Sequence, residues 1–146
     1  MTSNQLTEPA GIKPFEILVV DDSPEDLRLI RDAFSQWKGS RRVQVFLNGI
    51  EALDHFKNSP ADTLPDLVLL DWNLPGIRGE QVLERLKDDK RLCNIPVVIF
   101  TSSSSPADRL RATQLGAARF ITKPLDIDEF FNSIADLEDF VNARGR

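Results

Sequence analysis

Leu67-Val68-Leu69-Leu70 is apolar at every position, and Asp71 follows at once. A strand with one wet face alternates apolar and polar residues; an unbroken apolar run fits a central parallel strand covered on both faces. The pattern recurs on either side. Phe15-Glu16-Ile17-Leu18-Val19-Val20 stops at Asp21-Asp22, and Pro96-Val97-Val98-Ile99-Phe100 stops at Thr101-Ser102. Segments at helical spacing lie between. Leu27, Ile30, Phe34 and Trp37 predict a one-faced helix ending near Gly39, with Ser23 as N-cap, Pro24 at the first helical position and Asp26 where a cap partner belongs. Val43, Val45 and Leu47 alternate as a strand, Asn48 with Glu51 opens a helix carrying Leu53 and Phe56, and Lys57 to Pro65 reads as a polar loop. A helix over about Gly79 to Asp89 presents Val82, Leu83 and Leu86; another starts at Ser105-Pro106 and stops at Gly116. Arg119-Phe120-Ile121 is a last strand, and a final helix runs from near Asp126 to about Asn142. Five strand–helix pairs in strict alternation predict an α/β fold, a doubly wound five-stranded parallel sheet between two helical layers.

Composition agrees. The chain has 146 residues, 41% hydrophobic and 28% charged, which fits one domain with its own core. We divide it into a polar, disordered leader over 1–13, a domain over 14–142 and a tail over 143–146. Cys93 is the only cysteine, which excludes an internal disulfide framework and suits a reducing compartment; we read it as a small buried or half-buried thiol. No apolar run approaches membrane-spanning length, and Met1 to Phe15 lacks the form of a signal peptide. The net charge of −5 argues against nucleic acid. A cytoplasmic domain with neither membrane nor nucleic-acid partner is expected.

In an open parallel sheet, ligands bind beyond the carboxyl ends of the strands, where the strand order switches. Asp21 and Asp22 follow the first strand, Asp71 the third, Thr101 ends the fourth, and Lys123 follows the fifth. Three carboxylates brought together repel one another unless something compensates. A hard divalent cation such as Mg2+ does so with oxygen ligands, and leaves positions open for phosphoryl oxygens. A carboxylate beside it can act as a nucleophile toward phosphorus, with Lys123 neutralising charge and Thr101 donating a hydrogen bond. Each residue alone also has an ordinary reading: acids beyond strand ends are helix caps, and Lys123 or Thr101 a surface or turn residue. Their convergence on one sheet edge favours the chemistry. His55, on the second helix with polar neighbours, reads as a surface residue outside it.

Val19-Val20-Asp21-Asp22-Ser23, Leu69-Leu70-Asp71-Trp72-Asn73-Leu74-Pro75 with Gly79, Phe100-Thr101-Ser102 and Thr122-Lys123-Pro124 resemble the motifs of response-regulator receiver domains, over Phe15 to about Val141. The resemblance implies a flavodoxin-like (βα)5 three-layer sandwich. It implies that Asp71 accepts a phosphoryl group from a sensor histidine kinase. Asp22 would bind Mg2+ directly and Asp21 through water, with Asp71 and the backbone carbonyl of Asn73 completing the ligands. Lys123 would pair with the acceptor carboxylate or the phosphoryl group, and its bond to Pro124 is expected to be cis. Thr101 and Phe120 match the family's switch pair. The Asp-x-Asn-Leu-Pro form and the long loop before the third strand are similar to stand-alone regulators of bacterial phytochromes, so the kinase expected is a bacteriophytochrome. That subgroup often has Glu where Asp21 stands, and Tyr is frequent where Phe120 stands.

Three other readings compete. A phosphorelay intermediate would pass the group on to a histidine phosphotransfer protein. A phosphatase of the haloacid-dehalogenase type needs Asp-x-Asp after its first strand, whereas Asp21 and Asp22 are adjacent. A degenerate receiver would lack the acids. With no segment left for an output domain, a signalling protein rather than a classical enzyme is expected, acting through a partner or a homodimer. On the last helix Phe130, Ile134, Leu137 and Val141 form one stripe, widened by Ile127, Phe131 and Phe140. That arc exceeds the ~100° of a core-facing stripe: either the helix is deeply seated with its flanks covered by neighbouring loops, or, the reading we favour, Phe140 and part of the arc form a homodimer or partner surface.

Overall fold

The computed structural model describes residues 13–145; the leader predicted over 1–13 therefore lies outside the described residues except for Lys13. Five strands and five α-helices alternate: β1 (Phe15–Val20), α1 (Pro24–Phe34), β2 (Arg41–Phe46), α2 (Gly49–Asn58), β3 (Leu67–Leu70), α3 (Gly79–Asp88), β4 (Val97–Thr101), α4 (Pro106–Gln114), β5 (Arg119–Thr122) and α5 (Ile127–Arg144). The sheet is wholly parallel in the order β2-β1-β3-β4-β5. The switch in order falls between β1 and β3.

Alternate residues of each strand enter opposite cores. Ile17, Val19, Leu67, Leu69, Val98 and Phe100 meet α1 and α5. Leu18, Val20, Val68, Leu70, Val97 and Ile99 meet α2, α3 and α4. This explains why β3 is apolar throughout and β4 apolar up to its last residue, Thr101, with both strands buried at every position. β2, at the sheet edge, alternates exposed and half-buried residues over its first five positions.

Local signals set the helix starts. The side chains of Ser23, Asn48, Ser105 and Asp126 each accept from the backbone N–H three residues on. Some ends differ from expectation. α1 closes at Phe34, and single turns carry the chain onward, with Gln36 N–H donating to Ala33 and Trp37 N–H to Phe34. Trp37 still packs in the core, because it continues the stripe's direction. A 3-10 turn over Ala61–Thr63 sits within the loop before β3. α5 continues to Arg144, so the first two residues of the predicted tail, 143 and 144, are helical. His55 is half-buried rather than a free surface residue, its ring 4.9 Å from that of Phe46. Cys93 is a free, half-buried thiol, as expected.

The stripe of α5 is buried as predicted, while Phe131 and Phe140 are half-buried and Ile127 is 57% exposed. Phe140 has its own cover: the guanidinium of Arg119 lies 4.4 Å from its ring centroid and that of Arg144 5.6 Å. Among the described residues no helix is long and apolar enough to cross a membrane.

Candidate functional site

The sheet register brings the acids together. Val20 pairs with Leu70, so Asp21 and Asp71 leave neighbouring strands side by side. Their backbones remain tied: Asp71 N–H donates to the Val20 carbonyl at 3.0 Å, and Asp21 N–H to Phe46 at 3.1 Å. Thr101 pairs with Thr122 at the ends of β4 and β5, which delivers Lys123 to the same edge. Lys123 N–H donates to the Thr101 carbonyl at 2.6 Å.

Asp21, Asp22 and Asp71 offer carboxylate oxygens that all lie within 4.8 Å of one another. Asp21 and Asp71 are buried, whereas Asp22 is exposed. Each buried acid is oriented by a backbone donor two residues on: Ser23 N–H reaches Asp21 Oδ1 at 2.9 Å, and Asn73 N–H reaches Asp71 Oδ1 at 3.1 Å. Their other oxygens face one ammonium. Lys123 Nζ donates to Asp21 Oδ2 at 2.8 Å and to Asp71 Oδ2 at 3.2 Å. Burial pushes the Asp21 pKa up against the opposing pull of Lys123. For Lys123, burial acts to lower the pKa, but the hydrogen bonds to its carboxylate partners outweigh it and the net shift is upward.

Gly79 lets the loop after β3 close on the acid. A Cβ there would stand 2.3 Å from the Asp71 carbonyl oxygen and 2.7 Å from the Trp72 Cα. Its N–H donates to the Trp72 carbonyl, which pins the start of α3 against the Asp71–Trp72 backbone.

Thr101 is fully buried, and its hydroxyl oxygen accepts from Ser103 N–H at 3.4 Å. Phe120 is buried too, its ring 6.4 Å from that of Trp72 and beneath the Arg109 guanidinium at 4.9 Å. Trp72, next to Asp71 in the chain, thus packs against Phe120, one of the two residues expected from the sequence to form a switch pair.

Two corrections follow. The Lys123–Pro124 bond is trans; no cis peptide occurs among the described residues. An X–Pro bond prefers trans by only about 0.5–1 kcal/mol, so the dipeptide leaves the isomer to its surroundings, and the trans form already delivers Nζ to the carboxylates. The second concerns Asp26. Its backbone N–H meets the Ser23 cap, but its carboxylate does not cap the helix: Oδ2 accepts from Lys123 Nζ at 2.8 Å. An acid in the first turn of a helix is so ordinary that this role carried no sequence signal.

The donor set fits Mg2+. Three carboxylates in reach of one another, balanced only in part by one ammonium, match the hard-oxygen preference of that ion.

Comparison with known proteins agrees with this geometry. The response regulator receiver domain family matches residues 17–135. The probable methanogenesis regulatory protein FilR2 of Methanothrix harundinacea is 33% identical over 129 residues, covering 87% of this chain and 83% of that protein. Response regulator Rcp1 of Synechocystis is 30% identical over 133 residues, covering 87% and 88%; its Mn(2+)-bound crystal structure superposes with a TM-score of 0.79. The crystal structure of the phosphorylated cyanobacterial phytochrome response regulator RcpA superposes with a TM-score of 0.84 at 30% identity, covering 92% of this chain and 98% of that one. With its fold, its motif residues and these relatives in accord, the chain belongs to the response regulator receiver domain family.

Proposed function

We propose that this protein is a single-domain response regulator that accepts a phosphoryl group on Asp71 from a phosphohistidine of a sensor histidine kinase. The observation that carries the reading is the pairing of a nearly buried Asp71 with Lys123 Nζ at 3.2 Å, beside the two other acids. An Asp71 oxygen forms the bond to phosphorus, and the bond to the donor's imidazole nitrogen breaks with its electron pair leaving on that nitrogen. Lys123 offsets charge on the transferred group, and the Thr101 hydroxyl, whose proton is not committed to Ser103, donates to one of its oxygens. Asp21, Asp22 and Asp71, with the backbone carbonyl of Asn73, would hold Mg2+, which neutralises phosphoryl charge when bound. The Mn(2+)-bound form of Rcp1 supports a metal in this family.

The likeness to a cyanobacterial phytochrome response regulator supports a kinase of the phytochrome type, which we read as a bacteriophytochrome. Output runs through contact with a partner protein or a second copy on the α5 face, in the cytoplasm. Incubation with Mg2+ and acetyl phosphate, followed by intact mass measurement, tests the central claim. One base-labile phosphoryl group is expected on the unaltered protein and none on Asp71→Asn; a labelled Asp71→Asn overturns the assignment.

A further inference from the structure

The Lys123 ammonium has three N–H groups, and all three are engaged: Asp21 Oδ2 and Asp26 Oδ2 at 2.8 Å, and Asp71 Oδ2 at 3.2 Å. Two of these partners belong to the acidic cluster. The third enters from the first turn of α1 and keeps a 31% exposed side chain, whereas those of Lys123 and Asp71 are each 8% exposed.

We propose that Asp26 is a positioning residue for Lys123: it anchors the ammonium toward α1 and so keeps Asp21 and Asp71 available to Mg2+. The inference rests on the reading of Asp21, Asp22 and Asp71 as the Mg2+ site. An ammonium and a divalent cation compete for the same oxygens of Asp21 and Asp71. A lysine bonded to those two alone has to surrender them as the ion arrives. A lysine with a carboxylate partner outside the cluster keeps a short charge-assisted bond throughout. Asp26 also balances the lysine's charge, which leaves the cluster's own negative charge to the cation. A plain role at the helix start does not account for this contact. The Ser23 cap is completed by the backbone N–H of Asp26, and the carboxylate is turned away to Nζ.

The test is a double-mutant cycle read by Mg2+ titration of tryptophan emission, since Trp72 adjoins Asp71. Asp26→Asn preserves shape and the Ser23 cap while removing the charge. We expect it to weaken Mg2+ binding about fivefold, within the coupling range of contacting residues. In a Lys123→Met background, or Lys123→Gln where the methionine variant does not fold, the same change is expected to alter affinity by less than about twofold. Equal losses in both backgrounds overturn the proposal, because they reveal only the general field of one carboxylate. An unchanged or tighter affinity in the single variant overturns it too. An unaltered protein with no response to Mg2+ removes the metal site itself and this inference with it; coupling lost while the unaltered protein still binds Mg2+ removes the inference alone.

Discussion

The α1–α5 layer on one face of the sheet and α4 on the other are held by different forces. On one face α1 buries Leu27, Ile30, Ala33 and Phe34, and α5 buries Phe130, Ile134, Leu137 and Val141. Trp37 joins them, donating its indole N–H to the Ile134 carbonyl at 3.1 Å, while Glu138 accepts from Lys38 and Gly39 N–H groups. On the other face α4 buries only Ala112, and its Leu110 is 59% exposed. Its ties are polar: Arg111 with Glu80 of α3 at 2.9 Å, Arg109 with the Phe120 carbonyl at 3.0 Å, and Asp108 with the Ser103 hydroxyl at 2.6 Å. Exposed ionic contacts are worth at most about 1 kcal/mol each, whereas a buried aliphatic side chain contributes about 1.5–3. One helical layer is therefore an anchor, and α4 is the element that can shift or open at small cost. Thr101 and Phe120, which the resemblance to receiver domains marks as a switch pair, flank α4 in the chain.

The contrast breaks most readily at Ile134. Truncating this fully buried residue to Ala should cost about 2–5 kcal/mol in urea unfolding, while Leu110→Ala on α4 should stay within about 0.5. Similar losses at both positions would refute the difference. Amide exchange sharpens it: α4 protons should exchange through local openings well before those of α5.

Next in size is Lys123, which carries ionic ties on the anchored side between α1 and the start of α5. Lys123→Met leaves Asp21 and Asp71 buried without their cation, and should cost about 3 kcal/mol in EDTA, with part of the loss restored by Mg2+. Because the folded pKa of Lys123 is raised, the stability it contributes is complete below its ordinary value of 10.5. It is lost as pH rises through the folded value. A Lys123→Met protein as stable as the unaltered one in EDTA at neutral pH would mean that these bonds do not hold α1 to the site.

Gly79→Ala comes third. The added Cβ meets backbone atoms of Asp71 and Trp72, which cannot swing aside as a flexible side chain does. We expect a loss of about 1–3 kcal/mol and slower phosphorylation by acetyl phosphate, since the acceptor loop itself must move. Unchanged stability and phosphorylation would show that α3 gives way instead.

What the sequence disclosed follows the same divide. Residues whose neighbours are fixed by the sheet were legible: the Leu67–Leu70 run could only be a covered strand, and the register then placed Asp21, Asp71 and Lys123 together. Side chains that reach between elements were not. Asp26 looks like any first-turn acid, and only the returning β5–α5 connection shows that it meets Lys123. The wide apolar arc of α5 marked Phe140 as a partner or dimer surface, but not the guanidinium groups of Arg119 of β5 and Arg144 of α5 itself that lie over that ring. Periodicity records which residues are apolar and says nothing of cationic side chains that fold across them. The isomer of the Lys123–Pro124 bond was hidden because the local preference is small.

The smallest expected effect concerns Arg109, where α4 meets Phe120. Its guanidinium lies 4.9 Å from the Phe120 ring centroid and hydrogen-bonds the Phe120 carbonyl, so one side chain of α4 holds both the ring and the backbone of β5. Contacts of this kind at exposed positions are worth about 0.5–1 kcal/mol, and Arg109→Ala should lower global stability by no more than that. Its local consequence should be larger in proportion. With Arg109 gone, α4 keeps Ala112, the Glu80 pair and the Asp108 hydrogen bond. Its amides should therefore exchange faster while those of α5 stay unchanged. The Phe120 ring, still against Trp72 at 6.4 Å, is freed on its other side, so tryptophan emission should shift modestly without metal or phosphate. Exchange that rises equally in α4 and α5 would mean that Arg109 supports the whole domain, and the two faces would then be coupled more tightly than their packing implies.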